Sequence, residues 1–476
     1  MTGTDASGLM LPPPARRVFA NRTLNLGSIA AIGFDMDYTL VHYRVEEWER
    51  AAFAHARARL VARGWPVEGM EFSPTAFTLG LVVDQELGNI VKANRFGFVR
   101  RAAHGTRMLG FDEQREAYSR VIVDLAEPRW YFMNTLFSLS EACLFANLVD
   151  LVDAGRLPPQ VGYDEAFRAV RASLDAAHME GELKEEVTRD PERFVVLDEE
   201  AALALRDLKQ AGKKLLVITN SEWSYMQSMM SHAFDRFAGG SWRALFDVVI
   251  AQARKPEFFT GNAPIFEVVD ERGLLRPSRG PLHAGGAYLG GNARLVEQLV
   301  GQPGENILYV GDHIYADVHV TKSLLRWRTA LILRELEDEI AAIEAFRPKQ
   351  AELDRLMAEK ERLEWEYDEL RTGLARHDAG YGPALSVPAS TVKRRMAELR
   401  RSLDALDGRV GPLSRDASEL VNERWGPPMR AGNDKSHLAR QVERYADVYT
   451  SRVANLLHAT PFGYLRSPRG TLPHDG

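Results

Sequence analysis

The sequence predicts an α/β protein built on a doubly wound parallel sheet, with a large inserted domain and a helical hairpin toward the C-terminus. Three observations lead there. Short, continuously apolar runs, each ending in a polar cluster, recur along the chain, as expected of strands buried on both faces of a parallel sheet. Helical patterns fall between them, and strands alternating with helices define the doubly wound class. One gap between consecutive runs is far longer than a crossover requires, so it holds a domain of its own.

The first run is 28–34 (SIAAIGF); the others are 214–218 (KLLVI), 246–250 (FDVVI), 307–310 (ILYV) and 329–333 (TALIL). Helices are predicted over 198–210, where Ala and Leu recur at three-to-four spacing before Gly212, and over 292–300 and 317–326. About 180 residues separate the end of the first strand from the end of the second, whereas a crossover needs only about a dozen. The insertion is assigned to 45–185, between core segments 25–44 and 186–334. Within it, 79–100 reads as a hairpin punctuated by LGN and NRFG turns, and the aromatic-rich 121–151 reads as helix.

Beyond the core, Leu353, Leu356, Leu363, Tyr367, Leu370 and Leu374 form a heptad seam with Lys360 the one polar intruder. Val392, Met396, Leu399, Leu403, Leu406 and Val410 repeat it. The GYGP breaker at 380–383 makes this an antiparallel hairpin, assigned to 335–425, whose seam packs within the chain or against a second copy. A further helical pattern spans 436–457, and 426–476 is expected to pack on the core as a C-terminal helix and tail. Residues 1–24 are expected to form a flexible tail without a signal pattern.

Hydrophobic residues at 45% and charged ones at 26% exclude a collagen-like or wholly disordered chain. A net charge of −6 and a pI near 6.1 argue against nucleic acid or an anionic membrane as partner. No apolar run approaches the ~18 residues of a bilayer span. The single cysteine, Cys143, cannot close an internal disulfide, which suits a reducing cytoplasm.

Chemistry concentrates at the ends of the apolar runs. Asp35 and Asp37 directly follow the first. Residues two apart in an extended segment point to the same side, so both carboxylates meet one small volume at the edge where open α/β sheets bind ligands. Such a pair repels, and a cation or a shared proton resolves the repulsion; a water-exposed strand terminus is the plain alternative. Thr219, Asn220 and Ser221 end the second run and open a helix, forming an anion cradle or an ordinary cap. Lys255 lies just past the third run, where a lone lysine is ordinarily a solvated charge. After the fourth, Asp312 and Asp317 sit five positions apart in a glycine turn, capping a helix or facing Asp35 across a parallel sheet.

In this order, DxDxT…TN…K…GDxxxxD, the chain resembles the haloacid dehalogenase superfamily at all four motifs. The resemblance implies a magnesium ion, which prefers oxygen ligands, held by Asp35, Asp312 and the Asp37 carbonyl. It implies Asp35 as the nucleophile that forms an aspartyl-phosphate, and Asp37 as the acid for the leaving alkoxide and then the base for water. Thr219, Asn220 and Lys255 would hold the phosphoryl oxygens, and Asp317 would orient the metal shell or Lys255. The second aspartate favours phosphoryl transfer to water over carbon–halogen cleavage, which needs neither that acid nor magnesium. An inserted domain over the site would exclude water and select small molecules rather than phosphoproteins.

The strings FDMDYTL, NTLF, TNS, QARKPEFF, GPLHAGGAY, GDHIYAD and QVERYADVY are similar to those of the cytosolic purine 5′-nucleotidases that prefer IMP and GMP, over roughly residues 25–465. Arg171, Asp175 and His178 share one face of a predicted helix at i, i+4 and i+7, with Lys184 just beyond. By itself that face is a solvated salt-bridge stripe. The resemblance makes it a purine pocket, with Arg171 and Asp175 on the base edge and His178 and Phe137 against its faces. A 6-oxopurine presents an O6 acceptor and an N1–H donor that this pair complements; adenine mismatches both. Ser221 and Ser138 join the substrate site, although the family has asparagine at Ser138 and tyrosine at Met179. The family's nucleotide effector site maps to Asn134, Tyr315, Gln441, Arg444 and Tyr445, but Asp124 replaces an arginine there and would repel a polyphosphate.

The expected activity is therefore a magnesium-dependent 5′-nucleotidase acting on purine nucleoside monophosphates. Transfer of the same phosphoryl group to a nucleoside acceptor is the alternative, and a catalytically idle scaffold assembling through the hairpin is the reading from another class.

Overall fold

The computed structural model describes residues 12–135, 138–179, 181–278 and 280–470, without the side chains of His178 and Met179. Residues 338–427 form one compact unit and the other described residues a second. Among the described residues, ten strands make the main sheet of the larger unit. Seven run parallel, in the order Val448–Thr450, Arg328–Ile332, Ile307–Gly311, Ala31–Phe34, Lys214–Ile218, Val248–Ala251, Gly286–Gly290. The chain enters at the centre: Ala31 pairs with both Lys214 and Ile307. The order therefore reverses beside this strand, and its carboxyl end opens onto the crevice of a topological switch.

All five runs predicted as strands lie in this parallel set. The first starts later than read because Leu26–Ser28 winds into a 3-10 turn capped by the Asn25 side chain. Every residue of Ala31–Phe34, Val248–Ala251 and Ile307–Gly311 is buried, which explains their unbroken apolar character. Two strands were not legible. Gly286–Gly290 (GAYLG) is glycine-rich, a composition that weakens a strand. Val448–Thr450 falls inside 436–457, expected to be helical; the helix His437–Tyr445 stops short of it. Asp447 decides this boundary, because its buried carboxylate accepts from Lys322, from Arg328 at 3.0 Å and from the Thr329 amide at 3.1 Å. Of the expected flexible tail 1–24, residues 1–11 lie outside the described residues, whereas Phe19–Ala20 adds an antiparallel strand beside Val448–Thr450.

The insertion carries a five-stranded antiparallel sheet and helices Val45–Ala62, Leu139–Asp153 and Tyr163–Met179, which pack on one another. The hairpin read over 79–100 appears as Val82–Asp84, Asn89–Ala93 and Val99–His104. The helix read over 121–151 begins only at Leu139. Its earlier aromatic part is strand Trp130–Phe132, paired with Val82–Asp84 and tied to it where Arg129 clasps buried Asp84 at 2.6 Å. In the smaller unit, Leu353, Leu356, Leu363, Leu399, Leu406 and Val410 form one apolar cluster. Lys360, the polar intruder on the seam, pairs with Asp407, while Glu366 pairs with Arg395 at 2.6 Å. The seam is thus filled within the chain. No helix among the described residues is long and apolar enough to cross a membrane.

Glu49, on Val45–Ala62, is fully buried and accepts a 2.6 Å hydrogen bond from the Ser140 amide in the first turn of Leu139–Asp153. Burial pushes its carboxyl up to about 8 from an ordinary 4.5. Between these values the unfolded chain ionises while the folded one stays protonated, so this group's contribution to stability falls as pH rises through that window. Glu49→Gln keeps the acceptor and removes the titration. Denaturant unfolding should show the variant near wild type at pH 4 and more stable by a few kcal/mol at pH 8.

Candidate active site

The parallel register carries each motif to one edge. Asp35 continues the central strand's ladder by donating its amide to Val310 O at 2.9 Å, and the Thr219 amide donates to Ile250 O at 3.0 Å. Beyond these last bonds the chain turns sharply. Tyr38, directly after Asp37, has φ 54°, and Gln252 and Arg254, just before Lys255, have φ 44° and 59°; such backbone persists only where its surroundings hold it.

Carboxylate oxygens of Asp35, Asp312 and Asp317 lie within 4.8 Å of one another. Buried Lys255 bridges two of them, its Nζ 2.8 Å from Asp35 Oδ1 and 2.7 Å from Asp317 Oδ1, and donates to the Tyr309 hydroxyl at 3.1 Å. Asn220 fixes the lysine's backbone from both sides, donating to Lys255 O at 3.1 Å and accepting from its amide at 2.6 Å. Two glycines make this fit. A Cβ at Gly33 would stand 2.9 Å from the Tyr309 ring, and one at Gly311 would stand 2.4 Å from the Asp317 carboxylate.

The Asp37 side chain is turned away from the other acids' cluster. It accepts from the Tyr43 hydroxyl at 2.5 Å and from Ser221 Oγ at 2.6 Å. Tyr43 is 2.9 Å from the Tyr225 hydroxyl, and since its own proton goes to Asp37, Tyr225 is the donor in that pair. The Lys184 ammonium lies 5.0 Å from the Tyr225 ring centre. Thr219 Oγ1 accepts from the Ser221 amide at 3.1 Å.

Burial, opposed in part by Lys255, raises the Asp35 carboxyl above the usual range. Burial, then Asp35, then Asp317 carry Asp312 well above it, and burial and Asp35 raise Asp37. Lys255 would be lowered by burial, yet Asp317 and Asp35 hold it well above the ordinary ammonium. The edge thus carries more acid than its lysine can neutralise. An all-oxygen set of three carboxylates this close fits a hard divalent cation, which would relieve the repulsion.

These groups line a cavity of about 250 Å³, together with Lys184, Trp48, Thr135 and His313. A second cavity of about 260 Å³ is lined by Tyr131, Asn134, Ser138, Glu141, Arg171 and Asp175, and shares Thr135 and His313 with the first. His313 Nδ1 accepts from the amides of Tyr315 and Ala316 at 3.2 and 3.0 Å, and burial lowers the ring to about 4, so the neutral imidazole carries its proton on Nε2. Phe137 and the His178 side chain lie outside the described residues. Elsewhere, Tyr315 and Tyr445 meet edge to face at 6.1 Å with Arg444 5.1 Å over Tyr445, whereas Gln441 is committed to His437 at 2.9 Å. Asp124 caps the Ala126 amide. Tyr43, Tyr225, Tyr309, His313 and Glu141 were not read from the sequence. Tyr309 had a signal, as the one polar-tipped side chain in the ILYV run, and so did His313, which sits beside Asp312 in the GDHIYAD string; the others had none.

A parallel sheet that gathers three acids and a buried lysine at its switch point defines an α/β protein with an acid cluster that could bind a metal ion. More narrowly, a model of the 5′ nucleotidase family matches residues 18–476, and the chain belongs to that family. It is 28% identical over 468 residues to human "5'-nucleotidase domain-containing protein 2", covering 94% of this chain and 82% of that one. The rat protein of the same name is likewise 28% identical over 468 residues, covering 94% and 78%.

If the acid cluster holds a divalent cation, magnesium at a hundredfold excess over Kd should stabilise chelator-treated protein by about 2.7 kcal/mol, read as a higher melting temperature. Asp312→Asn should lose most of that gain in the same melting experiment.

Proposed function

We propose that the protein is a magnesium-dependent 5′-nucleotidase that hydrolyses 6-oxopurine nucleoside 5′-monophosphates, of the IMP and GMP type, through an aspartyl-phosphate on Asp35. One observation carries the reading: two cavities that share Thr135 and His313, one lined by the acids, Lys255 and the Thr219-Asn220-Ser221 turn, the other by Arg171 and Asp175. A phosphate, a ribose and a base in line would span them.

Asp35, Asp312 and Asp317 would hold the magnesium ion, with Asp37 contributing its carbonyl. When bound, the ion neutralises these carboxylates and the phosphoryl oxygens. The chain's own groups do the rest. Asp35 attacks phosphorus, and the bond to the 5′-oxygen breaks as the Asp35–phosphorus bond forms. Asp37, kept above the usual carboxylate range by burial and by Asp35, gives its proton to the leaving alkoxide. It then takes one from the water that splits the acyl-phosphate. Lys255 and the Thr219 and Ser221 turn neutralise and hold the phosphoryl oxygens. In the second cavity Arg171 donates to O6 and Asp175 accepts from N1–H, whereas adenine would leave both mismatched.

Phosphate release across nucleoside monophosphates tests this. IMP and GMP should exceed AMP by about 10- to 100-fold in kcat/KM, and activity should vanish on chelation and return with magnesium. Asp35→Asn should be inactive and Asp37→Asn slower by about 10²- to 10⁴-fold. Preference for AMP, or phosphate release undiminished in Asp35→Asn, would overturn the proposal.

A further inference from the structure

We infer that Glu141 is a specificity-determining residue of this site: with Tyr131 it holds one arm of the Arg171 guanidinium, leaving the other arm beside Asp175 as a fixed donor–acceptor pair for the purine edge. This rests on the nucleotidase reading above and names what sets the base pocket's geometry.

The clamp is drawn from three elements. Arg171, on Tyr163–Met179, donates through Nη1 to the hydroxyl of Tyr131 at 2.5 Å and to Glu141 Oε1 at 3.3 Å. Tyr131 comes from strand Trp130–Phe132, and Glu141 from the first turn of Leu139–Asp153. The guanidinium also lies 5.0 Å from the centre of the Tyr131 ring. Among the described residues these Nη1 bonds are the guanidinium's hydrogen bonds. Nη2 stands 3.7 Å from Asp175 Oδ1, an ion-pair distance beyond hydrogen-bond reach, so its N–H groups are available to a ligand.

The two acids beside Arg171 differ in environment. The Glu141 side chain is 2% exposed and that of Asp175 59%. A carboxylate in water competes with solvent for its partner; a desolvated one does not. Glu141 therefore holds the arginine and Asp175 stays free to accept from the base. An arginine on a solvated helix face would lose rotamer freedom on binding, and prior anchoring removes that cost. The charged or titratable groups facing Glu141 are Arg171 and Asp175 from their helix, Tyr131 from its strand, and Glu49 from Val45–Ala62. Burial lifts the Glu141 carboxyl to about 7 against the pull of Arg171 and Tyr131, so the anchor weakens in mild acid.

Steady-state kinetics with IMP, AMP and ribose 5-phosphate, which lacks a base, separate this role from general damage. Glu141→Gln should lower kcat/KM for IMP at least about tenfold more than for ribose 5-phosphate, mainly through KM, and should shrink the IMP-to-AMP ratio by a similar factor. In wild type, IMP's advantage over ribose 5-phosphate should fall as pH drops below 7, and Glu141→Gln should flatten that profile. Tyr131→Phe removes the second anchor and should act in the same direction; it carries the test if Glu141→Gln fails to fold. A wild-type protein with no preference for IMP would defeat the nucleotidase reading itself. A wild type that prefers IMP, with both variants keeping that preference, would overturn the clamp alone.

Discussion

The structure depends on an excess of negative charge packed at the carboxyl edge of a parallel sheet. Asp35, Asp312 and Asp317 converge there because the strands bearing the first two acids are direct neighbours in register, and Asp317 follows in the turn beyond Gly311. One buried ammonium, from Lys255, touches two of the three. Carboxylates this close and this dry are costly unless something neutralises them. Much of the surrounding construction serves to hold them: Gly33 admits Tyr309, which accepts from Lys255, and Gly311 admits Asp317.

Asp37 answers the same crowding by turning aside. Its two oxygens are taken by Tyr43 and Ser221, so neighbouring aspartates in the chain face different partners. Tyr43 lies just before helix Val45–Ala62 and Tyr225 within Trp223–Ala238, so a single carboxylate ties the entry to the insertion to the helix after the Thr219-Asn220-Ser221 turn. Further along the insertion, Glu49 anchors the N-terminus of Leu139–Asp153, on which Glu141 sits. The second cavity is thus braced to the same helix that leaves the first.

What could be read ahead of the structure followed from period and position. Buried parallel strands appear as continuous apolar runs, and their polar ends name the functional edge; Asp35, Lys255 and Asp312 were found this way. The heptad seam was equally plain, and the ion pair of Lys360 with Asp407 accounts for its one irregularity. The failures have a common cause. Gly286–Gly290 and Val448–Thr450 are strands by tertiary pairing rather than by composition, and Trp130–Phe132 leaves a helical-looking stretch because Val82–Asp84 offers it a partner.

Taken alone, the chain determined its α/β class, the insertion, the hairpin and the four motif positions, because each is a local pattern of hydrophobicity or a short run of functional side chains. Only the tertiary structure decided that Asn220 grips the Lys255 backbone, that Tyr43 and Tyr225 stand behind Asp37, and that Glu141 rather than exposed Asp175 anchors Arg171. Apart from Tyr43, six positions from Asp37, those partners are 30 to 182 positions apart, and a contact between isolated polar residues at such separation leaves no periodic trace. Its existence depends on burial and register, which arise only once the sheet and the insertion have packed.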